Sequence, residues 1–275
     1  NGDGTGLRQI SFNQSHDLDP AVLGDGRIVF SRWENAGPNN EINLYTVRPD
    51  GSGLELLYGA QSHATGTDGS AVHFLAPRAT GAGSVLVRAQ PFRTADGGGA
   101  LLEIDTGNYV ENTQPTLPNA GALTGPAQQP ATVNLVSTLD GPSPGGRYNS
   151  AFPLRDGTGR LLLTWTQCRL LEGERIVPCT AERLAAGNAV AAPPLYGVWM
   201  YDSRDRTQRP VVEPAEGTVY SEVVALQPQA LPAVILDAVP GVDFDEDFAT
   251  EGVGILDIRS VYDIDGARSE EHTSE

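Results

Sequence analysis

Apolar positions along this chain fall in short β-prone runs separated by turn-forming residues. Ile28 to Ser31 and Leu161 to Thr164 each follow an Asp-Gly pair. Asp-Gly supplies the positive backbone angles of tight turns, so each run reads as the second strand of a hairpin. Asn43 to Val47 and Gly197 to Tyr201 follow as third strands, and each leads through a polar turn to another apolar segment, Leu54 to Tyr58 or Pro210 to Val212.

The pattern recurs. Asp3-Gly-Thr-Gly-Leu7 returns as Asp50-Gly-Ser-Gly-Leu54, an offset of 47, and Ser15-His16 returns as Ser62-His63 at the same offset. A period of roughly 40 to 50 residues suits a four-stranded propeller blade. A third echo joins the segment from Pro20 to Trp33 with that from Pro153 to Trp165. Both read as strand, Asp-Gly turn, apolar strand, Trp.

The expected fold is therefore all-β: a partial β-propeller of four-stranded blades, followed by the start of a β-rich appendage. One blade is expected from Phe12 to Tyr58. A second, weaker one covers Gly59 to Asn108, with strands at Val72 to Leu75, Ser84 to Ala89 and Ala100 to Ile104. A third runs from Ala131 to Val212, swollen by an insertion from Cys168 to Pro194 that holds a short helical turn at Ala181 to Gly187. Asn1 to Ser11 reads as the tail of a preceding blade and Val219 to Ala225 as the first strand of a following one. Tyr109 to Pro130, rich in Pro and Gly, reads as an inter-blade loop.

Residues 1–227 thus form the expected propeller and residues 228–267 the expected appendage, which holds Pro228, Pro232 and Pro240, the acidic Asp243 to Asp247 and the apolar Val253 to Ile258. Residues 268–275, Arg-Ser-Glu-Glu-His-Thr-Ser-Glu, reverse-translate as AGA TCG GAA GAG CAC ACG TCT GAA, which looks like sequencing-adapter read-through. On that reading the chain is an internal fragment of a longer protein.

Composition sharpens this picture. In 275 residues there are 32 Gly and 20 Pro, too many turn formers for a helical bundle. Asp and Glu number 35 against 18 basic residues, giving a net charge of -17. No nucleic-acid or anionic-membrane partner is expected, since either needs a basic face. No apolar run approaches the roughly 18 residues of a membrane span.

The stretch from Asp17 through Trp33 to Glu34, followed by Asn43-Leu-Tyr-Thr-Val-Arg-Pro-Asp-Gly-Ser-Gly-Leu54, resembles the repeats of TolB-like propellers. It resembles still more the propeller of proteins related to the hydrazine synthase alpha subunit. Tyr58 to His63, Tyr148 to Pro153, Leu195 to Asp202 and Val224 to Pro228 add to that resemblance, which spans most of Asn1 to Gly266. It implies an extracytoplasmic protein, periplasmic or secreted, in which a propeller precedes a region carrying c-type haem attached through Cys-x-x-Cys-His. The chain has no such motif, so no cofactor is expected within it and haem is expected only in a C-terminal region beyond it.

Cys168 and Cys179 lie 11 positions apart. In an extracytoplasmic setting a disulfide between them would restrain the unfolded chain by about 2 to 3 kcal/mol. Two unpaired structural thiols are the alternative, and a two-Cys metal site lacks His partners.

His16 and His63 occupy equivalent repeat positions near the first strands of adjacent blades, where propellers line their channel. With Asp17 and Asp19 they make a candidate imidazole-carboxylate metal site; hydrogen-bonding histidines that bridge blades are the alternative. Asp243, Asp245, Glu246 and Asp247 supply hard oxygen ligands of the kind Ca²⁺ takes, but they lack EF-hand spacing and Phe244 and Phe248 interrupt them, so a solvated acidic loop is the favoured reading. Trp33, Trp165 and Trp199 read as blade packing. No catalytic residues are expected: the chain lacks Gly-x-Ser-x-Gly, His-Glu-x-x-His and a Gly-rich loop followed by Lys.

The leading functional expectation is a non-catalytic scaffold that binds its own C-terminal domain or a partner subunit. A TolB-like interaction propeller without cofactor is the alternative, and the gating propeller of a peptidase a third. The parent sequence beyond Ala267 discriminates the three: Cys-x-x-Cys-His favours the first, a stop codon the second, and a Ser-His-Asp hydrolase domain the third.

Overall fold

The computed structural model describes residue 3 and residues 5–36, 39–81, 83–94 and 97–253. Three four-stranded antiparallel sheets succeed one another along the chain. Blade 1 is β1 (Asp17–Val22), β2 (Ile28–Ala36), β3 (Asn39–Val47) and β4 (Glu55–Tyr58), paired in that order. Its β1–β2 turn is closed by the amide of Gly26 donating to the Leu23 carbonyl at 3.1 Å, with Gly26 at φ 89 as the Asp-Gly pattern requires.

Blade 2 starts with β5 (His73–Ala79), β6 (Val85–Gln90) and β7 (Ala100–Ile104). The segment expected to be a loop then folds into a small hairpin of β8 (Tyr109–Glu111) and β9 (Gln114–Pro115), and returns as β10 (Gln128–Pro130). Gln128 pairs with Ile104 and Pro130 with Leu102, so β10 is the fourth, outermost strand of this blade. Pro is tolerated there because an edge strand leaves half its ladder unused.

Blade 3 is β11 (Arg147–Pro153), β12 (Arg160–Thr166), then, beyond the insertion, β16 (Tyr196–Asp202) and β17 (Thr207–Val212). The insertion folds on itself: β13 (Arg169–Glu172) pairs on one side with β14 (Arg175–Pro178) and on the other with β15 (Val190–Ala191). Between them α1 (Ala181–Ala185) starts at Thr180, whose hydroxyl accepts from the Arg183 amide at 3.3 Å.

Period-two alternation explains how the blades stack. Along β6, Val85, Val87 and Ala89 join a buried cluster with Leu44, Tyr58, Val72, Phe74 and Ile104, between blades 1 and 2. Leu86 points the other way, into a second cluster with Leu101, Tyr148, Leu163 and Tyr201, between blades 2 and 3. Each large side chain so buried contributes about 1.5 to 3 kcal/mol. Trp165 and Trp199 meet edge to face at 5.1 Å against that second cluster, which is their role in the fold.

Beyond β17 the expectations diverge from the structure. Val219 to Ala225 forms no strand and pairs with none of the described strands, although Val223 is buried. Residues 228–253 hold one isolated bridge, Pro240 to Phe244, and a helix, α2 (Glu246–Glu251), in place of the expected β-rich start. The prolines deny a ladder its donors, and Asp245 and Gly252 cap the helix at its two ends. The rest of the run to Ile258 and the whole of Arg268 to Glu275 lie outside the described residues.

What residues 222–239 do form is a strap. Neighbouring strands are antiparallel, so the first and third turns of a blade emerge on one edge, and the strap crosses these turns. Glu222 lies 3.6 Å from Arg78 of blade 2, and Gln227 accepts from the Arg155 amide of blade 3 at 3.2 Å. The Ala233 amide then donates to the Gly24 carbonyl at 3.1 Å, and the Ala238 amide to Asp50 Oδ2 at 2.9 Å, both in blade 1. Burial, the largest influence on Asp50, disfavours its charge, yet the bonds from Ser52 and Ala238 and the charge of Arg48 hold its carboxyl down at about 2.

Candidate functional site

The inner strands place the candidate residues, and they separate the four proposed ligands. His16 stacks on Trp33 with ring centroids 5.5 Å apart. Asp17 lies 3.6 Å from Arg32 and accepts from Asn13 at 3.2 Å. Asp19, at φ 53 in a β-bulge of β1, accepts the Ala76 amide of blade 2 at 3.0 Å. Both Asp19 and Ala76 precede Pro and both hold positive φ at a register shift, so matching bulges in adjacent inner strands are bolted together. Among the described residues no three His, Cys, Asp or Glu side chains are grouped to hold a metal ion, the acidic loop included. In that loop Asp243 accepts the Val239 amide and Asp245 caps α2.

His63 is instead a buried bridge. Its Nδ1 lies 2.5 Å from the Val72 carbonyl and its Nε2 2.7 Å from Asn43 Oδ1. Asn43 is oriented by its own amide, which donates to Glu34 Oε2 at 2.9 Å, so both imidazole nitrogens face acceptors. Glu41 Oε2 stands 3.6 Å from Nε2.

His73, which the sequence offers only as a strand residue, completes the joint. Its ring centroid is 5.1 Å from that of His63, and its Nδ1 accepts the Ile42 amide at 3.1 Å. That bond fixes His73 as a neutral ring, and burial with the neighbouring His63 pushes it down to about 4. A signal was available: His63 and His73 flank the turn that leads into β5, and Phe92, a ring on the other side, contacts both His73 and Trp33.

A second group escaped the sequence reading. Glu34 accepts from the Tyr45 hydroxyl, and the Arg32 guanidinium sits 5.4 Å over the Tyr45 ring. Burial first, and then the Glu34 bond, raise the Tyr45 phenol well above its ordinary value and keep it a donor. These residues sit on β2 and β3, so they are cross-strand neighbours whose pairing no single-strand pattern displays.

Blades 2 and 3 are joined differently. Gly99 and Tyr148 exchange backbone hydrogen bonds at 2.9 Å, Asn149 donates to the Gly97 carbonyl at 2.9 Å, and Arg88 donates to the Asn149 carbonyl. Burial lowers the Arg88 guanidinium against the pull of Asp19. In the insertion, Cys168 and Cys179 are bonded to each other with Cα atoms 5.6 Å apart, tying the outer strand β14 back to the start of β13. The arrangement as a whole fastens blades together.

No family model and no curated protein matches the chain. A solved structure, Kuenenia stuttgartiensis hydrazine synthase, is similar at 17% identity with a TM-score of 0.47, over 76% of this chain and 21% of that one. The chain thus spans about a fifth of the length of that protein chain. Among the described residues no helix is long and apolar enough to cross a membrane.

Proposed function

We propose that the chain is a non-catalytic propeller scaffold from an extracytoplasmic protein of the hydrazine synthase alpha-like type, which holds and orients a separate partner region. The observation that carries this reading is the strap. Its polar groups tie it to turns of blades 1 and 3 and to Arg78 on β5 of blade 2, while Leu226, Leu231, Val234 and Leu236 stand fully or almost fully exposed along it. A segment held at many points that leaves large apolar side chains uncovered is suited to being covered by a partner.

The disulfide supports an oxidising compartment, periplasmic or secreted. The resemblance assigns c-type haem to the partner region. This chain's own residues do not fit that group, because its two cysteines are bonded to each other and neither belongs to Cys-x-x-Cys-His. The scaffold's part is therefore to position the haem-bearing region or a partner subunit, and no redox step is assigned to it.

Long-read sequencing of the source DNA across the codon for Ala267, followed by expression of the complete product, tests the proposal. The expected result is a frame that continues into Cys-x-x-Cys-His and a protein with covalent haem. In that protein Leu231→Asp with Leu236→Asp should make the junction to the haem region open to protease. A frame that stops after Glu275, in a protein that captures a peptide without cofactor, would replace this reading with the TolB-like interaction propeller.

A further inference from the structure

A cleft of about 740 Å³ lies between blade 2 and a segment that contributes Pro130 and residues 132–138 to its lining. Ala100, Leu102, Val133, Leu135 and Val136 line it, beside the edges of the buried Val72, Ala89 and Leu101. The polar groups around it are already engaged with one another. The Thr67 amide donates to Thr138 Oγ1 at 2.7 Å, and the Thr138 amide returns a bond to Thr67 Oγ1 at 3.1 Å. Asn134 donates to the Tyr148 hydroxyl at 2.7 Å and to Gln208 at 3.3 Å. The interior therefore offers dispersion and apolar burial, and little hydrogen bonding.

Among the described residues, Arg206 is the one charged residue on this lining. It sits in the β16–β17 turn at φ 58, and its guanidinium makes no ion pair among the described residues. In a chain of net charge -17, Arg206, solvent-exposed and outside any ion pair among the described residues, is a cation on the cleft lining that favours an anionic group. Val133 and Leu135, on the covering segment, are 48% and 86% exposed, apolar surface that an elongated ligand would take out of water. The volume falls in the range of ordinary small-molecule sites, about 300 to 1,000 Å³.

We propose that this cleft binds a free single-chain amphiphile, its hydrocarbon body along blade 2 and its carboxylate at Arg206. The inference stands on the cleft alone and does not depend on the scaffold reading.

The probe is 11-(dansylamino)undecanoate, titrated into the chain and followed by fluorescence. Binding should saturate at one equivalent, and dodecanoate should displace it about tenfold better than dodecanol, since one charge-assisted contact is worth about 1.4 kcal/mol. Ala100→Phe fills the cleft and should weaken binding at least about tenfold. Arg206→Gly relieves the left-handed backbone, so the melting temperature should hold or rise while the preference for carboxylate over alcohol disappears. Leu231→Asp with Leu236→Asp, on the strap, should leave the titration unchanged. Absence of saturable binding overturns the proposal. So does binding that survives both cleft variants, or binding that the strap variant abolishes, which would mark adsorption to the exposed apolar strip.

Discussion

His73 accepts the Ile42 amide through Nδ1, and in that place its ring is held at about 4 against an ordinary value of 6.5. Between these two values the unfolded chain binds a proton that the folded chain does not, so the His73 contribution is complete above about pH 6.5 and is lost as the pH falls toward 4. The loss is up to about 3 kcal/mol, for a side chain only 6% exposed. Urea midpoints at pH 7 and pH 5 should differ accordingly. In His73→Asn, whose amide oxygen can still accept from Ile42 but cannot titrate, the difference should shrink; an unchanged slope would assign it to other groups. At this scale the sequence was only half legible. The equal spacing of His16 and His63 marked both as repeat positions, yet one lies partly open against Trp33 and the other is buried between Val72 and Asn43. Repeat position fixes where a backbone goes. The side chain's role is set by the neighbouring blade.

Strands reveal themselves by alternation only where one face is buried and the other is not. Blades 1 and 3 follow the Asp-Gly turns and the Trp-ended second strands closely. The fourth strand of blade 2 could not be read this way, because Gln128-Gln-Pro130 carries no large apolar side chain and is held by its ladder with β7 and by Gln128 donating to the Tyr58 hydroxyl. Glycine placement was equally silent. A Cβ at Gly99 would stand 2.2 Å from the Ala89 carbonyl oxygen, in the backbone pair that joins blade 2 to Tyr148 of blade 3. Gly99→Ala should therefore cost about 2 kcal/mol or more and lower the melting temperature by roughly 4 to 8 °C. A melt within about 1 °C of the parent protein would mean that the joint yields without cost.

For the molecule as a whole, the order of three blades was legible because each repeats one hairpin chemistry, while the strap was not. Its contacts run from backbone amides to turn carbonyls and carboxylates, 188 residues away in the case of Ala238 and Asp50, and no periodicity announces them. The tightest is at Gly26, where a Cβ would lie 2.1 Å from the Ala233 carbonyl oxygen and the backbone holds φ 89. Gly26→Ala should expel the strap from blade 1 while leaving the three sheets paired. Limited proteolysis should then cut within residues 222–239 at least about tenfold faster, with far-UV circular dichroism unchanged. Equal cleavage rates would show that the strap is held elsewhere.

The strap also decides how the array carries load. Tension applied at residue 253 meets Asp237 with Arg8 and Ala238 with Asp50 before it reaches blade 3. Force therefore enters at the blade that comes first in the chain, and β17 is shielded until those anchors part. A pull from that end should rupture in two events, a weak detachment that lengthens the tether without unravelling any sheet, then the blades themselves.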